Sequence, residues 1–411
     1  MRLVLGNRLL NFAGGTETHL VTVGVELLRL GHEVTVYSPE LGPFTDHAQE
    51  RGLEVVDELR ELPADCDVVF AQDGIVVYDL AERYPRAVTV FRVCGDVYDF
   101  QTPPQVEGVV DLVLVLSDRY ARFAEACSVE APLLRLRLPI DVQRLVPLGT
   151  IREHPRRAVI LGNYPDRVQV VREVWERCGV EVEQVGGVGQ QRYDLAEALA
   201  SADIVVAKSR AALDAMACGR AVYVYDMFGG DGWVTPEAYP ALEADHFAGQ
   251  ATDRVIGPAE LERDLADYHP SMGTANRDLV LQHHRARDHV IELLAAVGEV
   301  AAPAERPSLP LRELGRLTAL QWSWEQLARQ WQHGHAAMHE RLVDAEQRAL
   351  LAEQAAAEAR AGAERELAAA LSRASEVDPL RAELDAIQAS RAWRLARRDW
   401  DWRSRLLQPS R

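Results

Sequence analysis

The sequence predicts an α/β protein of two doubly wound parallel sheets followed by a helical tail. Three observations carry that prediction. Short apolar strands alternate with amphipathic helices from Met1 to about Val300, the pattern of parallel sheets covered on both faces. A polar stretch punctuated by Pro139, Pro147 and Pro155 divides the run in two, as a hinge would. Beyond Pro303, Pro307 and Pro310 the composition shifts to Ala, Glu and Arg. The expected divisions are a first domain over 1–147, a second over 148–300, a Pro-rich linker over 301–320 and a helical or coiled-coil tail over 321–411.

The first domain opens with the strand Arg2–Gly6, the loop Asn11-Phe-Ala-Gly-Gly15 and a helix from about Thr16 to Leu30. Leu20, Val23, Leu27 and Leu30 keep helical spacing. Strands follow at Glu33–Ser38, Leu53–Val56, Asp67–Phe70, Ala87–Val93, Val109–Leu116 and Leu133–Leu138. A helix falls near Tyr78–Tyr84, and Ser117-Asp118 caps another. In such a Rossmann-like arrangement ligands gather at the carboxyl ends of strands. Those ends are Gly14-Gly15-Thr16-Glu17, Gln72-Asp73, Arg92 to Asp99, and Ser117-Asp118. Gly14 and Gly15 lack the spacing of a full dinucleotide fingerprint. Asp96 and Asp99 set two carboxylates beside a glycine after a buried strand, where either can orient an acceptor hydroxyl or take its proton. His19 reads as packed or solvated.

The second domain repeats the pattern, with strands at Ala158–Leu161, Val180–Val185 and Asp203–Ala207 and helices over 166–177 and 195–200. Gly162-Asn163-Tyr164 and Gly186-Gly187-Val188-Gly189 are its glycine-bearing strand ends. Helices follow near Ala259–Tyr268 and Asn276–Val300. No two of His283, His284 and His289 stand four apart, so they read as a solvated helix face rather than a metal site.

The most informative stretch is Ala207–Glu237, read as loop, helix, Gly-Arg turn, strand and a glycine-rich loop at Gly229-Gly230-Asp231-Gly232. Lys208 is the only lysine in the chain. With Arg210 it places positive charge at a helix start, against the helix dipole. That placement suits a bound phosphate, which the free N–H groups of a helix N-terminus also favour. Ser209 is the expected cap, and Asp214 lies on the first turns.

The 411 residues carry a formal net charge of −18, which argues against nucleic acid as partner. Cys66, Cys94, Cys127, Cys178 and Cys218 are scattered and form no Cys-x-x-Cys pair, the usage of a reducing compartment. The start is too polar for a signal peptide, and no apolar run approaches the roughly 20 residues needed to span a bilayer. A cytoplasmic protein, peripheral to the inner face of a membrane, is expected.

Three pieces stand out together: Gly14-Gly15-Thr16-Glu17 with Leu27-Leu-Arg-Leu-Gly-His-Glu-Val34, Val113–Ser117 with Leu138-Pro-Ile-Asp141, and Ala211-Ala-Leu-Asp-Ala-Met-Ala-Cys-Gly-Arg-Ala-Val222. In that order they resemble GT-B glycosyltransferases, in particular glycosyltransferase family 4 of the bacterial surface-glycan type. The resemblance implies a GT-B fold and a nucleotide-sugar donor held mainly by the second domain. Asp214 falls where the family has a glutamate on the ribose hydroxyls. The partner glutamate eight positions earlier is Val206 here, and Gly162-Asn163-Tyr164 stands where an Arg and a Lys are usual. The family's first-domain histidine is replaced around Cys94–Asp96, and Lys208 and Arg210 take over the diphosphate. Gly229, Gly230 and Asp231 match the family's glycine-rich loop in general position. Retention of configuration is implied, with no metal and no cofactor beyond the nucleotide-sugar substrate.

In the tail, Leu342, Ala345, Ala349, Ala352, Ala356, Ala359 and Ala363 recur at alternating spacings of three and four, a seam for a homo-oligomer through 340–370. Asp378-Pro379 reads as a cap that restarts the helix. Residues 390–405 mix Arg with three Trp, a composition suited to an anionic membrane surface. The reading is a glycosyltransferase (hexosyltransferase-like) acting on a cell-surface glycan or lipid-linked acceptor. The alternatives are a nucleotide-sugar epimerase of the same fold and a non-catalytic assembly protein acting through the tail.

Overall fold

The computed structural model describes the chain apart from residues 163–164, 187–192, 227–228, 253, 302, 304–305, 392, 396 and 399–411, and apart from the side chains of 165–168, 226 and 340. The expected loop residues Asn163, Tyr164, Gly187 and Gly189, and much of the basic 390–405 segment, lie outside the described residues. The chain divides into two compact units, Met1–Trp324 and Glu325–Arg411.

In chain order the first sheet region comprises β1 (Arg2–Gly6), β2 (Leu9–Leu10), α1 (Gly15–Arg29), β3 (Glu33–Tyr37), β4 (Glu40–Leu41), α2 (Pro43–Glu50), β5 (Glu54–Val56), β6 (Val68–Ala71), α3 (Val76–Arg83), β7 (Val88–Arg92), β8 (Leu112–Val115), α4 (Asp118–Ala126) and β9 (Leu133–Arg135). Seven strands form one parallel sheet in the order β5-β3-β1-β6-β7-β8-β9. The order reverses between β1 and β6, which is where such sheets open a crevice. β6, β7 and β8 are buried along their whole length, as expected when helices cover both faces. Ser117 caps α4 as the sequence predicts, accepting from the Tyr120 N–H at 3.3 Å.

The second sheet region holds β10 (Arg157–Leu161), α5 (Pro165–Arg177), β11 (Glu181–Val185), α6 (Leu195–Leu199), β12 (Ile204–Ala207), α7 (Ser209–Ala217), β13 (Ala221–Asp226), β14 (Gly229–Trp233), α8 (Tyr239–Ala244), α9 (Pro258–Ala266), α10 (Ser271–His283) and α11 (Ala286–Glu299). Its order is β11-β10-β12-β13-β14, with the reversal between β10 and β12. Only β14 is antiparallel. Trp175, Tyr223 and Trp233 fill the core on one face, and the Trp175 indole donates to the Leu261 carbonyl of α9 at 3.1 Å.

Several expectations are corrected. The Gly229–Gly232 stretch is a strand, not a loop, paired back on β13 through a bulge at Val224/Tyr225. Gly230 is needed there, because a Cβ would fall 2.6 Å from the Tyr225 ring and 2.7 Å from the Val224 carbonyl oxygen. The single helix expected over 276–300 is two, α10 and α11. The chain breaks at His284-Arg285 because Ile140 bridges the gap, donating to the His284 carbonyl and accepting from the Ala286 N–H. His284 and His289 are buried rather than solvated. The His284 ring joins the Leu138 carbonyl to the Tyr239 hydroxyl, and the His289 ring meets the Arg137 carbonyl.

After α10 the chain leaves the second sheet. α11 packs on α1, with Leu293 and Val297 in one cluster with Leu3, Leu5, Val23 and Leu27. Within the stretch read as a linker, Arg306 is deeply buried. It donates to the carbonyls of Ala87, Gly108 and Val109, to Thr89 and to both oxygens of Asp111. The last helix, α12 (Leu311–Ala389), starts inside that stretch and runs through Pro379 without a restart. A proline ring costs a helix one N–H bond and a local clash, which kinks or breaks it; here the helical backbone continues on both sides. Leu311 enters the first domain's second cluster, and Trp322 packs on Tyr98 and Phe100. Among the described residues no helix is long and apolar enough to cross a membrane.

Candidate functional site

β1 and β12, each beside its sheet's reversal point, lead toward α1 and α7, and these two helices are joined by the hydrogen bond from Arg210 to Thr22. On the first sheet, the carboxyl ends of β1 and β6 deliver the glycine pair and Gln72. Gly14 is the N-cap of α1. A Cβ on Gly14 would lie 2.3 Å from the Glu17 carboxylate and 2.7 Å from the Phe12 ring, so glycine lets Glu17 fold back over the helix start. A Cβ on Gly15 would meet open space. The Glu17 carboxylate is buried and accepts from the Thr16 hydroxyl at 2.8 Å. Burial pushes its pKa up to about 7, against the lowering pull of hydrogen bonds and of Arg92.

Arg92 is the one charged residue of β7, at its end, and is 2 % exposed. It donates to Gln72 Oε1 at 2.6 Å, and Gln72 Nε2 reaches the Thr16 carbonyl at 3.1 Å. The Cys94 thiol donates to the Gln72 carbonyl at 3.1 Å, and burial raises its pKa to about 12, which disfavours the thiolate. His19 is fully buried, stacked on Phe70 and edge-on to His289; burial and then the charge of Arg92 hold it neutral. Asp73 accepts three backbone N–H groups, from Arg8, Ile75 and Val76, and so shapes the turn into α3.

The two loop carboxylates are engaged separately. Asp96 pairs with Arg119 at 2.9 Å, and Arg119 also reaches Asp245 at 3.3 Å and Gln250 at 2.8 Å, joining the first sheet region to the second. Asp99 accepts from Gln321 on α12.

On the second sheet, β12 ends at Ala207 and Lys208 follows it. Lys208, not Ser209, is the N-cap residue of α7. Ser209 is the first helical residue and sits at φ 49°, a left-handed conformation uncommon outside glycine. Its N–H donates to the Phe247 carbonyl at 2.8 Å, and His246 and Phe247 are left-handed too, at φ 62° and 52°. Three such non-glycine residues joined by one hydrogen bond concentrate backbone strain at the cleft, where strain and function often coincide. His246 lies against the Tyr120 ring, and burial together with Arg92 and Arg119 pushes its pKa down to about 3.

Arg210 is 7 % exposed and turned away from solvent. It donates to Thr22 of α1 at 3.0 Å and to the Pro139 carbonyl at 3.2 Å, and its Nε lies 3.5 Å from Asp214. Its terminal nitrogens therefore fasten α7 to α1, a use that differs from the diphosphate contact expected of it. Asp214 is equally buried; desolvation raises its pKa, opposed by Arg210 and Arg144. The Asp231 carboxylate accepts from the Ala251 and Thr252 N–H groups and the Thr252 hydroxyl, pinning the loop after α8 to the β13–β14 hairpin.

Sequence reasoning passed over Glu17 as an individual group, and over Arg92, Arg119, Tyr120 and His246. Arg92 had a readable signal, a single charge closing the uncharged run Val88–Phe91. His246 had none, since its importance comes from backbone conformation and from a partner domain. Among the described residues no group of three or more His, Cys, Asp or Glu stands ready to hold a metal.

This geometry, two facing doubly wound domains joined through their cleft ends, is the GT-B architecture. No family model matches the sequence, and no curated protein matches it. Solved structures do match by fold. The structure of Anabaena Alr3699/HepE in complex with UDP and glucose aligns with a TM-score of 0.53 at 11 % identity, covering 73 % of this chain and all of that one (100 %). The same protein with UDP-glucose aligns at 0.51 and 12 % identity, covering 72 % of this chain and 100 % of that chain.

Proposed function

We propose that this chain is a glycosyltransferase that moves a sugar, a hexose by preference, from a nucleotide-sugar donor to a cell-surface glycan or lipid-linked acceptor. The carrying observation is that the strand ends of the two sheets bring the buried Arg92 within electrostatic reach of Glu17, of His246 and of Arg210 on α7. UDP and UDP-glucose in the HepE structures motivate the donor class.

In this reading the diphosphate lies at the start of α7, where Lys208 and the first-turn N–H groups beyond that of Ser209 meet the charge that develops as the anomeric bond breaks. These groups make a metal ion unnecessary. The glycines at 14 and 15 give the donor close access to the start of α1. Asp214 serves the ribose side, and Gly229, Gly230 and Asp231 shape the wall beside the donor sugar. Asp96 and Asp99 belong to the acceptor side. Retention has the acceptor hydroxyl enter on the face the diphosphate leaves, with its proton passing to the departing phosphate oxygen. The tail contributes self-association through 340–370 and contact with the cytoplasmic face of a membrane through 390–405.

The test is thermal shift of the wild type and Lys208→Ala with UDP, GDP, dTDP, CDP and their sugars. A native-state ligand at 100 times its Kd adds about 2.7 kcal/mol. One nucleotide is expected to raise Tm in the wild type and not in Lys208→Ala. Silence with all of them sinks the donor reading. For the membrane contact, flotation with vesicles containing anionic lipid is expected to carry the full chain upward, and a chain ending at 389 to stay below. Equal flotation of both removes the 390–405 segment from the account.

A further inference from the structure

The second unit presents a helix face whose sequence pattern matches a copy of itself. With Leu342 at heptad position a, the frame runs d-Trp331, a-His335, d-Met338, a-Leu342, then through the alanines to a-Ala363. The same frame returns, two heptads further on, as a-Val377, d-Leu380, a-Leu384 and d-Ile387. Between them the d positions are Glu366 and Arg373, and the neighbouring Leu367 and Ala374 carry the apolar stripe past them. Large apolar side chains at both ends are open to solvent: Trp331 is 75 % exposed, Met338 72 % and Leu380 63 %. Apolar residues repeating every 3.5 positions are what a second helix in a left-handed supercoil covers.

The flanking charges name the partner and its direction. Positions g hold Arg341, Arg348, Glu376 and Glu383, and positions e hold Glu346, Glu353, Arg360 and Arg381. In a parallel, in-register pair each g side chain meets the e side chain five residues further along the other helix. That rule brings together Arg341 with Glu346, Arg348 with Glu353, and Glu376 with Arg381, each residue meeting its counterpart on the other copy. Every such pair in which both members are charged is of opposite sign.

We propose that residues 331–387 form a parallel, in-register, two-stranded coiled coil with a second copy of this chain. The proposal rests on the self-association reading above and adds stoichiometry, direction and extent to it. The alanine middle lets the helices approach closely, and the larger residues at either end lock the register.

The experiment uses the full chain. Light scattering after size exclusion is expected to give twice the 45.7 kDa chain mass. In a background with the exposed Cys178 replaced by Ser, Leu342→Cys and Leu384→Cys are each expected to oxidise to a self-linked dimer. Arg341→Glu with Arg348→Glu is expected to lower the dimer fraction at least tenfold at micromolar chain, and adding Glu346→Arg with Glu353→Arg to restore it. A monomeric mass overturns self-association altogether, and a trimer or tetramer overturns the two-stranded arrangement. A dimer in which Leu342→Cys links only to Leu384→Cys in a mixture overturns the direction. These readouts do not depend on nucleotide binding, so they fail independently of the donor site.

Discussion

Glu17 shows how one residue records the cleft's environment. Its carboxyl is buried beside Gly14, and its pKa rises from 4.5 to about 7 because burial disfavours the charged form. A carboxyl raised on folding holds its proton longer in the native state than in the unfolded chain. Its contribution to stability is therefore full below pH 4.5 and is lost as pH rises toward 7. The loss amounts to roughly 3 kcal/mol for a shift of this size. Glu17→Gln keeps an acceptor for Thr16 and carries no charge. The expected outcome is equal Tm for wild type and variant near pH 4.5 and a variant more stable by several degrees at pH 8. Parallel pH profiles for the two proteins would show that folding leaves the Glu17 pKa unshifted. Arg92, His246 and Tyr120 sit around the same cleft, and burial and mutual repulsion keep the histidine neutral beside its cationic neighbours.

Among elements, the segment from Arg306 into α12 is held more firmly than its proline-rich sequence suggests. Arg306 meets Asp111 with both terminal nitrogens and three main-chain carbonyls besides, at a side-chain exposure of 5 %. Arg306→Ala leaves Asp111 without its buried partner, which costs about 3 kcal/mol. The expected outcome is a lower urea midpoint together with new proteolytic cleavage between residues 300 and 311; an unchanged midpoint would reduce Arg306 to a surface residue. Much at this scale was legible in the sequence. The βα alternation located the parallel strands of both sheets to within a few residues, and Ser117 announced the start of α4, because those signals are local. What the sequence hid was tertiary in origin. Gly229–Trp233 looks like a loop because glycine disfavours strands, but β13 supplies the pairing and Tyr225 the reason for Gly230. The break before α11 depends on Ile140, well over a hundred residues away along the chain. Arg210 at the start of α7 reads as a phosphate contact until Thr22 and Pro139 are seen to take its terminal nitrogens.

Across the molecule, the two sheet regions are tied at their cleft by Arg210 to Thr22, by Arg119 to Asp96 and Asp245, and by Arg135 to Glu243. These ties come from arginines in a chain with one lysine, and arginine's planar fork suits such shared, partly buried contacts. The same economy of type leaves Lys208 as a distinct chemical group at the start of α7. The return of the chain to its first sheet sets an order in time as well as in space. α11, Arg306, Leu311 and Trp322 all complete surfaces laid down by the first 147 residues. The second sheet, by contrast, has all its strands by Trp233 and its covering helices by His283. On a ribosome, where segments emerge from the N-terminus onward, the part made second is thus the first to be complete. The part made first waits, a portion of its apolar surface uncovered, until some 320 residues have been synthesised. The start of α12 is the latch on that wait, so truncation there touches the birth of the opening domain as much as the loss of a tail.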